Sequence, residues 1–397
     1  MPRDILIVFG TRPEVIKLAP LILELQKYPR EFKLHICNTE QQKDLSNQIL
    51  EFFGITADIS LNVMKQNQQL AELQSKLLTS LQGVFESRHI DATIVQGDTM
   101  SACTGALVSF YHKVPIFHLE AGLRSYNNFE PFPEEVMRVM ISRIATLHFT
   151  PTKQAKNALQ KENIKHNVFI TGNTSIDSLM LFSAKIDESK IQEYINDSLL
   201  TQSSTKSSTK PNETPARHTK TISTDSLVLV TIHRRENHGE RLTKILSALV
   251  KLAKAFPTHQ FLIPVHPNPN VKQTIITTLS PYKNVLLTTH LDYPAIIFAL
   301  KYAKLIITDS GGIQEEAPSF GAPILVARYK TERAEAIKAG FSVLVGANED
   351  KIVSQAKKIL QKDKKHTRIK AKNPYGDGKA SQKITKIIKE FFNEQKQ

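Results

Sequence analysis

The stretch Leu305-Ile306-Ile307-Thr308-Asp309-Ser310-Gly311-Gly312-Ile313-Gln314-Glu315-Glu316 decides the fold. It opens on an apolar, β-branched run of strand length and passes through Ser-Gly-Gly into a segment of helix-friendly composition. A strand that runs through small residues into a helix leaves backbone N–H groups pointing at open space, an arrangement suited to a phosphate. Gly311 and Gly312 remove any Cβ from such a contact. Glu316, about one turn into the helix, directs its side chain back toward the mouth, where a carboxylate can accept from ribose hydroxyls. Two readings fit these residues. One is recognition of a nucleoside diphosphate; the other is an ordinary capped helix whose acidic residues complement its dipole.

Outward from this stretch the same unit repeats. Upstream, Leu227–Ile232 ends in His233-Arg234-Arg235-Glu236-Asn237, a cationic patch in which His233 is equally readable as a satisfied loop histidine. Phe261–Val265 and Val285–Thr288 are further strands, and Pro323–Ala327 and Val343–Val345 follow downstream. Thr331-Glu332-Arg333 comes after the strand that succeeds the Ser-Gly-Gly helix.

The N-terminal half has the same grammar. Ile5-Leu6-Ile7-Val8-Phe9 is a fully apolar strand of the parallel-sheet type. Gly10-Thr11-Arg12-Pro13-Glu14 breaks it, with Pro13 suited to the first turn of a helix that carries Val15, Ile16, Leu18, Leu21, Ile22 and Leu25 at helical spacing. Arg12 and Lys17 can both face the space above the strand; surface charge is the alternative reading of each. This turn is not Gly-x-Gly-x-x-Gly, so no nicotinamide cofactor is expected.

Strands are expected at 33–38, 92–97, 115–119, 146–150 and 167–171, and helices at 43–53, 69–88, 99–112, 132–145, 152–162 and 175–186. Such alternation predicts an α/β protein of two Rossmann-like, doubly wound parallel-sheet domains facing a central cleft, a glycosyltransferase-B-like architecture. Asp98 and Glu120 fall at strand C-termini, where such folds bind ligands. Glu134, Glu135 and Arg138 open the helix after Pro131-Phe132-Pro133, and Glu134 and Arg138 can pair or face a ligand together. For each acid alone a cap or turn role is the plainer reading. Three acids in one crevice suit proton transfer.

Bulk properties bound the rest. The 397 residues provide for two domains, and 41% hydrophobic with 23% charged residues is ordinary for a globular protein. The expected division is 1–186 for the first domain, 187–224 for a low-complexity polar insert or linker, 225–378 for the second domain, and 379–397 for a final helix packing back on the first. Cys37 and Cys103 are in no metal or redox spacing and read as buried thiols in a reducing compartment. No segment approaches membrane-spanning length, so a cytoplasmic protein is expected. The formal charge of +14 comes largely from lysines on helical faces and in the insert, without interleaved base-stacking aromatics, so no nucleic-acid partner is expected.

At this point the chain resembles the non-hydrolysing UDP-N-acetylglucosamine 2-epimerases. The resemblance is carried by Gly10-Thr11-Arg12-Pro13-Glu14 with Lys17, Gln96-Gly97-Asp98-Thr99, and His118-Leu119-Glu120-Ala121-Gly122-Leu123-Arg124-Ser125. It continues through Pro133-Glu134-Glu135 with Arg138, Thr171-Gly172-Asn173, and His233-Arg234-Arg235-Glu236-Asn237. Ser310 to Glu316, Thr331-Glu332-Arg333 and Asn373-Pro374-Tyr375-Gly376-Asp377-Gly378 complete it, in the family's order over nearly the whole chain.

The resemblance implies interconversion of UDP-N-acetylglucosamine and UDP-N-acetylmannosamine through loss of UDP and a 2-acetamidoglucal intermediate, with no metal or redox cofactor, in a homodimer. It implies acid/base roles for Asp98, Glu120 and Glu134. Arg12, Lys17, Arg138 and His233 are then expected to hold sugar and diphosphate. Ser310, Gly311 and Gly312 would take the phosphates, Glu316 the ribose and Arg333 the nucleotide side.

The chain departs from the family pattern at several places. Leu291 and Ile296 stand near the expected uracil pocket where Gln and Phe are usual, and Tyr329-Lys330 replaces Asp-Thr. Gln42 and Lys43 replace His and Arg, and Asn67 stands where relatives activated by their own substrate often have Arg. The alternatives are a 2-epimerase of another UDP-2-acetamido sugar, a hydrolysing epimerase that releases N-acetylmannosamine, and a non-catalytic nucleotide-sugar binder.

Overall fold

A computed structural model describes residues 1–65, 68–200, 221–265, 268–289 and 291–395. Asn67 and most of the polar insert, 201–220, lie outside the described residues. The chain divides into two compact units, one of Met1–Leu181 with Tyr375–Gln397, the other of Phe182–Pro374.

In unit 1 the strands are β1 (Arg3–Phe9), β2 (Phe32–Asn38), β3 (Ile59–Ser60), β4 (Ala92–Gln96), β5 (Ile116–Leu119), β6 (Leu147–Thr150) and β7 (Val168–Ile170). They form one seven-stranded sheet in the order β3-β2-β1-β4-β5-β6-β7, with every pairing parallel. Parallel neighbours need crossover helices on both faces, which is why Ile5 to Phe9 are all apolar and all fully buried. The two-residue β3 was not expected, being too short to carry a periodic signal.

Unit 2 contains β8 (Leu227–Thr231), β9 (Gln260–Pro264), β10 (Val285–Thr288), β11 (Ala303–Thr308), β12 (Ile324–Val326) and β13 (Ser342–Leu344). Their order is β10-β9-β8-β11-β12-β13, again all parallel. Alternate residues serve opposite faces. Val228, Val230, Leu305, Ile307 and Leu325 join one apolar cluster, whereas Leu227, Leu229, Ile306, Ile324 and Val326 join another. Each such buried aliphatic side chain contributes ~1.5–3 kcal/mol. The expected class of two Rossmann-like parallel-sheet halves is the one observed.

In each sheet the strand order reverses once, between β1 and β4 in unit 1 and between β8 and β11 in unit 2. Helices leave such a pair on opposite faces, so a crevice opens at the strand C-termini. At unit 1's reversal lie Gly10 to Glu14 and Gly97 to Thr99; at unit 2's lie His233 to Asn237 and Asp309 to Gly312.

Two expectations about domain limits change. The segment from 187 does not begin as a linker: Glu188–Asp197 is a helix, with the Asp187 side chain accepting from Ser189 N and Lys190 N. Ile191, Tyr194 and Ile195 recur at helical spacing and pack into unit 2's core, a signal hidden by the polar average of the stretch. The return to unit 1 comes at Tyr375 rather than 379. Asn173 N donates to Tyr375 O at 2.6 Å there. The last helix, Ala380–Glu394, packs within unit 1, where Phe391 meets Phe117 edge-on at 5.2 Å.

Candidate functional site

Unit 1's reversal gathers carboxylates, each with its own arrangement of partners. Asp98 follows Gly97, whose φ of 68° ends β4 sharply. Its Oδ2 accepts from Arg138 Nε at 2.8 Å and also from Arg138 Nη2. Arg138 is buried and gives Nη1 to Glu135 Oε2 at 3.0 Å. The pairing expected for Glu134 therefore falls to Glu135. Glu135 is itself buried and accepts from the amides of Ser125 and Tyr126. Glu134 opens the helix Glu134–Ile144, and its Oε2 is buried with no protein partner among the described residues.

Glu120 ends β5 with a left-handed backbone, φ 61°, which costs an ordinary residue energy and is tolerated where surroundings hold it. Those surroundings are specific. Lys17 Nζ reaches Oε1 at 2.5 Å, Asn173 Nδ2 reaches Oε1 at 3.2 Å, and Gln96 Nε2 reaches Oε2 at 2.6 Å. Gly97 N donates to Leu119 O at 3.0 Å, tying the Asp98 turn to the strand that carries Glu120. Strands pair about 4.8 Å apart, so the two acids rise from neighbouring positions on one sheet edge. Arg12 begins the helix Arg12–Leu25, and its backbone N–H donates to Gln42 Oε1 at 3.1 Å.

Beneath the acids lies His118. Its Nε2 is 2.8 Å from Gly97 O, which can only accept, so Nε2 carries the proton. Burial pushes its pKa down to about 3, helped by His148 and Arg124 nearby, and the ring stays neutral. His148, on β6, is held down to about 4 by burial and Arg124.

Unit 2's reversal is built differently. Asp309 is fully buried and accepts from His233 N, from Arg234 N at 3.0 Å and from Asn237 Nδ2 at 2.9 Å. His233 Nδ1 lies 3.3 Å from the same carboxylate, and its ring is half-exposed. One acid at the end of β11 thus shapes the loop after β8. Ser310 precedes the helix Gly311–Glu316, and its side chain makes no capping hydrogen bond to that helix. A Cβ on Gly312 would meet nothing within 4 Å, which is open space beside the turn. A Cβ on Gly311 would come within 2.9 Å of Arg333 Cζ, so that guanidinium covers the first glycine.

Arg333 donates from Nε to Glu315 Oε1 at 2.9 Å and pairs with Glu332. Burial works to raise the Glu332 pKa, but Arg333 and Arg328 overrule it and hold it at about 2. Arg328 pairs with Glu236 and Glu332, both at 3.1 Å. Glu316 is buried and accepts from Tyr293 OH at 2.8 Å. Leu291 is core, packed with Ala295 and Phe298, while Tyr329 is exposed with the Arg241 guanidinium 5.2 Å from its ring centre.

Asp98, Glu120 and Arg138 with Lys17 meet at one sheet edge of unit 1; His233, Ser310, Gly311, Gly312 and Arg333 gather at the reversal of unit 2. Sequence reasoning passed over the roles of Glu135, Asn173, Gln96 and Asp309. Asp309 was the findable one, an acid between a buried strand and Ser-Gly-Gly. Among the described residues no group of three or more His, Cys, Asp or Glu side chains is placed to hold a metal ion. No described helix is long and apolar enough to cross a membrane.

The family model for UDP-N-acetylglucosamine 2-epimerase matches residues 24–389. A UDP-N-acetylglucosamine 2-epimerase of Neisseria meningitidis is 39% identical over 387 residues, 97% of this chain and 98% of that protein. One from Campylobacter jejuni is 40% identical over 390 residues, covering 98% of each. The Neisseria meningitidis enzyme solved with UDP-GlcNAc has a TM-score of 0.85 at 39% identity, over 98% of this chain and 100% of that one. The Staphylococcus aureus MnaA–UDP co-structure gives 0.82 at 36% identity, over 99% and 97%.

Proposed function

Since the chain belongs to the UDP-N-acetylglucosamine 2-epimerase family, we propose that it interconverts UDP-N-acetylglucosamine and UDP-N-acetylmannosamine. A base takes the C2 proton, the C2–H electron pair forms the C1=C2 bond, and the C1–O bond breaks with its pair leaving on UDP. The product is 2-acetamidoglucal. UDP then adds back at C1 while an acid delivers a proton to the other face of C2.

The single observation that carries this reading is the pair of acids at neighbouring strand ends, each with its own cation, Asp98 with Arg138 and Glu120 with Lys17. Two-face chemistry at one carbon needs two separately held proton-transfer groups. Glu134, with an unpartnered buried oxygen, is the third acid/base group. Arg12, Lys17 and Arg138 steady the sugar and the departing diphosphate. In unit 2, His233, Ser310, Gly311 and Gly312 take the diphosphate, Glu316 the ribose, and Arg333 the nucleotide side. The open space at Gly312 and a Ser310 side chain that does not cap its own helix support that assignment.

We place the enzyme in the cytoplasm as a homodimer. In support of the dimer, Phe129 and Phe132 are exposed just before the helix Glu134–Ile144, and Val136 and Met140, one turn apart on it, are exposed as well.

Incubation with UDP-N-acetylglucosamine in deuterated water, followed by NMR at C2, tests the function. Formation of the UDP-N-acetylmannosamine epimer with deuterium at C2 is expected. Free N-acetylmannosamine instead of its UDP ester would overturn the non-hydrolysing assignment.

A further inference from the structure

Glu14 is an acid at unit 1's reversal that differs from Asp98 and Glu120: it forms no ion pair among the described residues, and it is only 3% exposed. Its four hydrogen bonds are distributed unevenly. Oε2 accepts from Gly10 N at 3.1 Å, Thr11 N at 2.9 Å and Thr11 Oγ1 at 2.8 Å. Oε1 accepts from Thr99 Oγ1 alone, at 2.7 Å.

Thr99 is the residue after Asp98 and caps the helix Met100–Tyr111, its oxygen accepting from Ala102 N at 3.0 Å. With that lone pair engaged, the hydroxyl proton points at Glu14. The carboxylate therefore joins the turn leaving β1, which carries Arg12, to the turn leaving β4, which carries Asp98. Gly10 is packed too tightly to shift, since a Cβ there would lie 2.1 Å from Thr39 Oγ1 and 2.5 Å from Ser101 Oγ.

We propose that Glu14 is a positioning residue for Asp98: its ionised carboxylate clamps Thr99 and fixes the Asp98 turn against the Arg12 turn, and protonation weakens the clamp. The role in turnover rests on the epimerase reading; the clamp itself does not. A proton on Glu14 finds no acceptor in Gly10 N or Thr11 N, which can only donate, so it must be taken by a hydroxyl that turns from donating to accepting, Thr11 Oγ1 at Oε2 or Thr99 Oγ1 at Oε1. Either way the charge that strengthens the Thr99 bond is lost. The groups meeting the carboxyl are two amides and two hydroxyls, none charged. Burial, against those same hydrogen bonds, raises the Glu14 pKa to about 7, so the clamp tightens as pH rises through neutrality. His118 beneath the turn is held at about 3 by burial and stays neutral over that range.

Two measurements test this on the full chain across pH 5.5–9. In the wild type, the amide NMR shifts of Asp98 and Thr99 should titrate with a midpoint near 7, and Glu14→Gln should abolish the titration. In turnover assays, kcat of the wild type should rise through the same midpoint. Glu14→Gln and Thr99→Val should each lower kcat ~10–100-fold, with UDP affinity kept within about twofold, and Thr99→Ser should restore it. Glu14→Gln should also lose the acidic limb of the kcat profile. Wild-type turnover in Thr99→Val, or amides that do not titrate in the wild type, would overturn the proposal. Should Glu14→Gln not fold, the Thr99 pair still decides it. A wild type that titrates at those amides yet never exchanges C2 keeps the clamp and refutes the epimerase reading instead.

Discussion

The reversal points of the two units have the same topology and opposite chemistry. Both lie between the first and fourth strands of their sheets in a parallel 3-2-1-4-5-6 order, with a seventh strand in unit 1. In unit 1 the strand ends present acids whose partners are cations, Asp98 with Arg138 and Glu120 with Lys17. In unit 2 the acid at the end of β11, Asp309, is buried beneath the chain and spends itself on the His233 and Arg234 amides and the Asn237 side chain, while Glu236 is paired with Arg328. The lesson is that a Rossmann-like scaffold fixes where chemistry occurs, and side-chain choice at the strand ends fixes which chemistry. On the proposed reading, unit 1 moves protons and unit 2 holds an anion.

The strongest test of that contrast removes charge without changing shape. Asp98→Asn or Glu120→Gln should reduce kcat on the order of 10²–10⁴-fold while UDP still binds, read by steady-state kinetics beside calorimetric titration of UDP. Unchanged turnover in both would take them out of the mechanism.

Next in size is Asp309→Ala, which leaves the His233 and Arg234 amides and Asn237 Nδ2 without their acceptor. A loss of about 3 kcal/mol in urea unfolding is expected, with UDP affinity reduced at least ~10-fold as the His233 loop loosens. If stability fell and UDP binding did not, the loop after β8 would have no part in binding.

A third test uses pH. His118 is neutral when folded, with its pKa lowered by burial to about 3, whereas the unfolded ring titrates near its ordinary value of 6.5. Between those values the unfolded chain binds more protons, so stability is complete above about 6.5 and is lost as pH falls toward 3. Replacing the ring, in His118→Asn, should flatten the acid limb of the unfolding free energy by ~1.4 kcal/mol per pH unit around pH 4–5.5. An unaltered slope would mean the ring is not buried neutral.

The smallest effect is expected of Gly312→Ala. The added methyl meets nothing within 4 Å, so melting should not change. UDP affinity should drop by roughly tenfold, because the methyl occupies the room a phosphate needs beside the backbone amides. Full affinity in this variant would move the phosphate site off the Ser310 turn.

Much of this was legible from local pattern. The apolar runs at Ile5–Phe9 and Leu305–Thr308, each closed by small or turn-forming residues, mark the central strands and the C-terminal ends at both reversals. The acids Asp98 and Glu120 were identifiable because strand C-termini are where such sheets expose side chains. Their partners were not. Spacing offers Arg138 the Glu134 carboxylate one helical turn away, yet it pairs with Asp98 forty residues distant and with Glu135. The helix Glu188–Asp197 has the sequence look of a linker because its three core residues are diluted by polar neighbours.

By itself the sequence determined the alternation of strand and helix, the parallel class, and which residues stand at the strand ends, since these follow from short-range periodicity and steric preference along the chain. The tertiary structure alone decided which acid meets which cation, that Asp309 holds the His233 loop, and that Glu14 reaches Thr99. Those pairings join residues tens of positions apart. They exist only once strand order brings the ends together, and a carboxylate's partner is set by distance in space, which no local pattern encodes.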